Sequence, residues 1–252
     1  MNRRNAFTLI EMIVVVGVIV MLASILLPVL NTAREQARAV RCQNNLHTLW
    51  QGYVAFAESH DNRLPGGYYD AANPNPDRRD WMLGAQVTNY LAGPQEGTLF
   101  KYVNRAYDVY RCPSLDLAAA GPDGPGGGSN GRFDYSAFLY VTGCRLDRLP
   151  LRATVTDPVS GDTLPVPAPV IVEEESAHMN GDHQMEAAHS NTDTLGNQHH
   201  GGSFFTGTDG SVQWIGPPWI NFSATSWTAV SVRGNTVNLG TTGITWSWYE
   251  RQ

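Results

Sequence analysis

Glu11 is the residue whose chemistry is hardest to accommodate. It lies inside an apolar run, Phe7 to Leu30, in which Met12 to Leu30 carries no charge. An ionised carboxylate in hydrocarbon costs about 2.5–3.5 kcal/mol on insertion scales and needs a partner, the alternative being a glutamate that stays protonated or snorkels near the interface. No Lys, Arg or His lies between Arg4 and Arg34, so the segment offers none. A terminal amine created at Phe7 would fit. It would act along the same helix or, better, from a neighbouring helix staggered by about a turn, where low dielectric strengthens the attraction. A second concentration of reactive side chains is His178, His183, His189, His199 and His200, beside Asp182, Glu186 and Asp193. Imidazole suits zinc, whereas calcium needs carboxylate and carbonyl oxygens. The spacing of five between His178 and His183 does not place both on one helical face, and His-Glu-x-x-His is missing. His199 and Asp209-Gly210 admit two readings: a hydrogen bond bridging two strands, or a divalent cation site. The metal candidates are therefore His178, His183, His199 and Asp209, with no other cofactor expected. Catalytic patterns are absent. There is no Gly-x-Ser-x-Gly elbow and no carboxylate pair in a recognisable context, and Glu173-Glu174-Glu175 reads as a charged strand end. The chain is not expected to be an enzyme. Cys42, Cys112 and Cys144 suit an oxidising compartment, where three thiols allow three single bridges and leave one over.

The elements that must position these groups follow from periodicity and breakers. From Phe7 to Leu30 a helix would span about 36 Å, enough to cross a hydrocarbon core. The six residues before it are too short for an ordinary secretory signal, whose cut would follow the apolar segment. Beyond the span, Ala33, Ala37, Val40, Leu46, Leu49, Trp50, Tyr53, Val54 and Ala57 recur at spacings of three and four. They predict one helix running on to Asp61-Asn62, before Leu64-Pro65-Gly66-Gly67. Pro28 should bend or loosen that helix and Gly17 should do so mildly. Short helices are expected at Asp80 to Leu91 and Thr98 to Asn104. Strands are expected at Val109 to Cys112, Tyr135 to Val141, Val166 to Glu174, Ser203 to Thr206, Ser211 to Ile215 and within Thr236 to Trp248. Asp209-Gly210 between two strand-like runs signals a tight hairpin. Gly121 to Gly131 reads as a surface loop and lacks the Lys-Ser/Thr ending of a phosphate-binding loop. The late tryptophans, Trp214, Trp219, Trp227, Trp246 and Trp248, suit a core, with an exposed aromatic face for a sugar or partner protein as the other use.

The expected organisation is a leader at 1–6, an apolar helix at 7–30, its continuation at 31–61, and one globular α+β head at 62–252. The long helix would pack on an antiparallel sheet. Net charge is −6; loss of Arg3 and Arg4 with the leader leaves 15 basic against 23 acidic residues, or −8. Nucleic acid is an unsuitable partner for such a chain.

Phe7-Thr-Leu-Ile-Glu11, the aliphatic run after it and Pro28 resemble the N-terminus of type IV pilins and type II secretion pseudopilins. The resemblance implies cleavage between Ala6 and Phe7 by a prepilin peptidase, N-methylation of Phe7, and filament assembly through Phe7, Glu11 and the helix around Pro28. Ala6 stands where the family usually has Gly and is comparably small. Glu11 would be the fifth mature residue, the position that in the family neutralises a neighbouring subunit's terminal amine. Three further stretches resemble a group of pseudopilin-like exported proteins: Cys42-Gln-Asn-Asn-Leu46, Cys112-Pro-Ser114, and His199 followed after nine residues by Asp209-Gly210. From that placing, Cys42 with Cys112 is the favoured pair, Cys144 being left over, while Cys112 with Cys144 stays open. The implied partners are homologous subunits, the prepilin peptidase, an inner-membrane assembly platform and membrane lipid. The implied location is a single-pass inner-membrane protein with its head in the periplasm or at the cell surface. The implied function is that of a structural subunit of a pilus or secretion pseudopilus. The rival is a membrane-anchored extracytoplasmic module that binds a glycan or a metal.

Overall fold

The computed structural model describes residues 8–66, 81, 94–114, 133–138, 141, 143–149, 151–156, 162–173, 188–189, 196, 198–216, 236–238 and 245–248. Ala6, Phe7, His178, His183, the glycine-rich stretch 121–131 and most of the helix expected at Asp80 to Leu91 lie outside them.

One helix, α1 (Leu9–Glu58), carries both halves of the molecule. It is unbroken through Pro28, whose missing N–H leaves the Ser24 carbonyl without its helical donor. Its two halves have different surroundings. The large apolar side chains from Leu9 to Leu30 are 46–77% exposed, and this apolar stretch is long enough to cross a membrane. From Ala39 onward the helix buries a seam at Ala39, Cys42, Leu46, Leu49, Tyr53 and Phe56, flanked by Trp50 and Ala57. Those seam positions alternate steps of three and four, which keeps them on one face. Val40, expected in the stripe, is 54% exposed, and Ala33 and Ala37 are also exposed. Each is off the Ala39–Cys42 line by a step that rotates it away from the head.

α1 ends at Glu58, three residues short of Asp61, because Asp61 and Asn62 take left-handed φ of 53° and 60° and reverse the chain. The return segment is held by Leu64 N–H to Cys144 O at 2.8 Å and Leu146 N–H to Asn62 O at 2.7 Å. Two 3-10 turns pack on α1, Phe100–Val103 and Tyr107–Tyr110. The first replaces the helix expected at Thr98 to Asn104. The second occupies the first two residues of the strand expected at Val109 to Cys112.

The head has two sheets. The strands are β1 (Tyr135–Phe138), β2 (Arg152–Thr156), β3 (Thr163–Pro167), β4 (Pro169–Glu173), β5 (Ala188–His189), β6 (Ser203–Gly207), β7 (Val212–Ile215), β8 (Thr236–Asn238) and β9 (Thr245–Trp248). A five-stranded sheet runs β5-β1-β4-β6-β7 and a four-stranded antiparallel sheet runs β3-β2-β9-β8. The five-stranded sheet is antiparallel except at its β1–β5 edge, where Ala137 faces Ala188 in parallel register. The chain thus has the expected α+β arrangement of a long apolar N-terminal helix and a mainly antiparallel head. The run expected as one strand at Val166 to Glu174 is divided between β3 and β4, with Ala168 between them, and a register irregularity follows Pro169. Pro cannot donate to a ladder, so the break falls where the prolines are. β2 was not expected: its Arg-Ala-Thr-Val-Thr sequence has no run of large apolar residues, and its place is set by pairing with β3 and β9.

β1, β4 and β6 are buried along their whole length, and α1 lies against β4, β6 and β7. Gly52 marks the closest approach of α1 to the first 3-10 turn. A Cβ there would meet Val103 Cγ1 at 2.7 Å and Leu99 Cδ1 at 3.3 Å. Gly52→Ala gains about 1 kcal/mol of helix propensity but overpacks this contact at a cost of about 1–3 kcal/mol. The expected outcome is a lower denaturation midpoint for the detergent-solubilised full chain; an increase would show that Val103 can yield freely.

Candidate functional site

At its amino end α1 is closed by a capping box. Thr8 N–H and Thr8 Oγ–H both donate to Glu11 Oε2, at 2.8 and 2.7 Å, and Glu11 N–H donates to Thr8 Oγ1 at 3.3 Å. This is the reciprocal pattern of Ser/Thr-x-x-Glu, readable in Thr8-Leu-Ile-Glu11 and overlooked when Glu11 was considered only for its charge. The cap uses one carboxylate oxygen. It orders the start of the helix beside the apolar face that the head leaves uncovered.

A second polar grouping lies in the head, where four buried side chains converge: Cys42 on α1, Cys112 after the second 3-10 turn, Glu173 at the end of β4, and His199 ahead of β6. Cys42 Sγ and Cys112 Sγ are 2.6 Å apart. His199 Nε2 is 3.3 Å from Cys112 Sγ and 3.1 Å from Glu173 Oε1. The other Glu173 oxygen accepts the Phe204 N–H at 2.9 Å. On the far side of the imidazole, Nδ1 faces Glu35 Oε1 at 3.4 Å, within ion-pair reach but without hydrogen-bond geometry. One donor atom from each of Cys42, Cys112, Glu173 and His199 lies within 4.8 Å of the others, a set able to hold a metal ion.

The surrounding chain explains how each group arrives. Glu35 continues the α1 seam one turn before Ala39 and accepts the Ser114 hydroxyl at 2.9 Å. Asn45 Nδ2 donates to Arg111 O at 2.8 Å, tying the segment that carries Cys112 to the helix that carries Cys42. This side-chain bond from a distant helix is the reason that Val109 to Cys112 is not a strand. Cys112 N–H donates to Asp134 Oδ2 at 2.8 Å, with Arg111 Nε 3.8 Å from the same oxygen. His199 pairs its backbone both ways with Gly202 through a turn in which His200 and Gly201 have φ of 55° and 76°. Its carbonyl accepts Trp214 Nε1–H at 2.8 Å. The ring is thereby held on three sides.

Electrostatics follow from burial. Burial opposes the imidazolium form of His199, but its contacts with Cys112 and Glu173 prevail and raise its pKa to about 10. The Cys112 thiol is pushed well up by its contact with Cys42 and by burial, against the pull of His199. Burial lifts Asp134 to about 7 despite the Cys112 N–H and the Arg111 guanidinium.

Several expectations are corrected. His199 and Asp209 neither bridge strands nor share a site: Asp209 Oδ1 accepts Ser211 N–H at 3.0 Å and Ser211 Oγ–H at 2.7 Å within the hairpin turn between β6 and β7. Asp209 is exposed, whereas His199 is buried. Gly210 is needed for φ of 79° and for room, since a Cβ there would lie 2.6 Å from Trp50 Nε1. Glu173 does end strand β4, but it is fully buried where a charged strand end would face solvent. The structure brings Cys42 and Cys112 together, while Cys144 lies in the turn beside Leu64. Trp214 is half-exposed at 45%. Sequence reasoning missed Glu173 and Glu35 as partners of His199. The nearest signal was a glutamate ending the apolar run Val170-Ile-Val, where an outward-facing charge is the usual reading.

A family model described as the prokaryotic N-terminal methylation motif matches residues 1–27. No curated protein and no solved structure matches the chain. The chain therefore carries a prepilin-type motif on a membrane-length apolar helix, an arrangement that supports membrane anchoring and a pilin or pseudopilin type of substrate for a prepilin peptidase.

The two polar groupings of the head should differ in energetic weight. Glu173→Ala strips a buried imidazole and the Phe204 N–H of their acceptor and should cost about 3–5 kcal/mol. Asp209→Ala removes turn hydrogen bonds at the surface and should cost about 1 kcal/mol. Denaturant unfolding of both variants checks the order; equal losses would mean that the hairpin and the buried grouping act as one unit.

Proposed function

We propose that the protein is a pilin-like or pseudopilin structural subunit, cut between Ala6 and Phe7 by a prepilin peptidase, methylated at Phe7 and assembled with homologous subunits into a filament. The observation that carries this is the division of α1. The half that bears the methylation motif buries none of its large apolar side chains in its own head, while the other half is built into the head. An apolar helix of this length left bare by its own chain must be covered by lipid or by other helices, and a pilin-type subunit uses both in turn. Glu11 supports the same reading, because the cap leaves its Oε1 available to a neighbouring subunit's Phe7 amine. The head contributes no catalytic step; its work is mechanical, presented in the periplasm or at the cell surface by the anchor and its assembly platform.

The test is the intact mass and N-terminal sequence of protein purified from native membranes. Loss of Met1 to Ala6 with one methyl on Phe7 is the expected result, and an uncut Met1 start would overturn it. Glu11→Ala, made in the same host, should be processed normally and yield at least tenfold fewer filaments in sheared or periplasmic fractions. Undiminished filaments would remove Glu11 from assembly.

A further inference from the structure

We propose that Cys42, Cys112, Glu173 and His199 form a buried structural zinc site that clamps the helical spine to the β-sheet head. The inference stands on the head and the part of α1 packed against it, and does not depend on processing or filament assembly.

The donor set is the first argument. Two sulfurs, an imidazole nitrogen and a carboxylate oxygen come from four separate places in the fold and are gathered within 4.8 Å. Thiolate, imidazole and carboxylate are all zinc donors, the two sulfurs being those of structural sites, and burial of all four residues closes the site to a water or substrate ligand. The second argument is charge. His199 Nε2 faces Cys112 Sγ and Glu173 Oε1 at once, and Nδ1 faces Glu35. Groups able to accept or to ligate thus face both ring nitrogens inside one core, and polar groups so far from water need a partner that a bound cation would supply. With zinc, Nε2 and Glu173 become ligands, and Glu35 fixes the ring from Nδ1 in the carboxylate–histidine–metal arrangement. Ser114 on Glu35, Asn45 on Arg111 and the Trp214 indole on His199 O hold the ligand-bearing segments in place.

The proton balance is explicit. Zn²⁺ replaces the protons of the two thiols, releasing them to solvent, and no electron is transferred. The bound set of two thiolates, one carboxylate and one neutral imidazole leaves a net charge of −1 around the ion. Zinc–sulfur bonds of about 2.3 Å place tetrahedral sulfurs about 3.8 Å apart, so the thiols would part by about 1 Å on binding.

The competing chemistry is oxidation of the same two thiols to a disulfide, and the experiment separates the two. Full-length protein is purified from membranes in detergent without chelator, and its zinc content is measured by elemental mass spectrometry. Cys42 and Cys112 are then alkylated with and without a chelator and read by mass. About one zinc per chain, with both thiols protected until the chelator is added, is the expected result. Replacement by Co²⁺ should produce thiolate-to-metal charge-transfer and tetrahedral visible bands. Because loss of a ligand also removes a tie of the head's core, Glu35→Gln is the discriminating variant: its side chain is partly exposed and is not a ligand. It should lower zinc affinity about 10–100-fold while leaving the circular dichroism spectrum intact. A chain two hydrogens lighter with no zinc, or free thiols that bind no added Zn²⁺ or Co²⁺, would overturn the proposal.

Discussion

One helix has to satisfy two environments, and the rest of the structure answers to that constraint. The seam Ala39, Cys42, Leu46, Leu49, Tyr53 and Phe56 is the only continuous contact through which the described head grips the long apolar helix. Each large side chain buried there contributes about 1.5–3 kcal/mol relative to exposure. An isolated helix draws little net stability from its own hydrogen bonds, so this packing is what holds the lower half. The half from Leu9 to Leu30 has no such support among the described residues. Its order depends on the cap at Thr8–Glu11 and on whatever apolar medium covers Leu9 to Leu30.

The seam also sets the chemistry of the head. Glu35, Ala39 and Cys42 share one face, so the helix delivers a carboxylate and a thiol to the same place at which β4 ends in Glu173 and the turn before β6 presents His199. Asn45, three residues beyond Cys42, fastens the Cys112 segment to the same helix turn. A buried carboxylate is costly unless compensated, and here the compensation comes from a residue 26 positions later in the chain. The head thus has a polar tie between spine and sheet in addition to its aromatic packing of Tyr53, Trp81 and Tyr110. The Asp209-Gly210 turn belongs to a different contact, in which the β6–β7 hairpin is laid against Trp50.

Much was legible in order along the chain. The apolar run, the continuing three-and-four spacing, the β6–β7 hairpin and the α+β class could all be read because each is a local pattern whose period matches the element it forms. The errors were also local in origin. Val109 to Cys112 alternates like a strand, yet its Arg111 carbonyl is claimed by Asn45 from another element. Val166 to Glu174 looks continuous, yet two prolines divide it. Glu173 looks like a surface charge because a strand pattern records which residues alternate and does not record what stands opposite them.

The sequence by itself determined where the chain is apolar enough to leave water, where a prepilin-type motif lies, within residues 1–27, and which long helix joins the apolar run to the head. Those properties depend on residues within a few helical turns of one another. Only the tertiary structure decided that His199 turns away from Asp209 towards Glu173, Glu35 and Cys112, and that Cys42 meets Cys112 in preference to Cys144. These contacts join residues 26 to 164 positions apart, and no periodicity encodes them. They are selected by the shared requirement that charges and polar atoms removed from water find partners inside the same core.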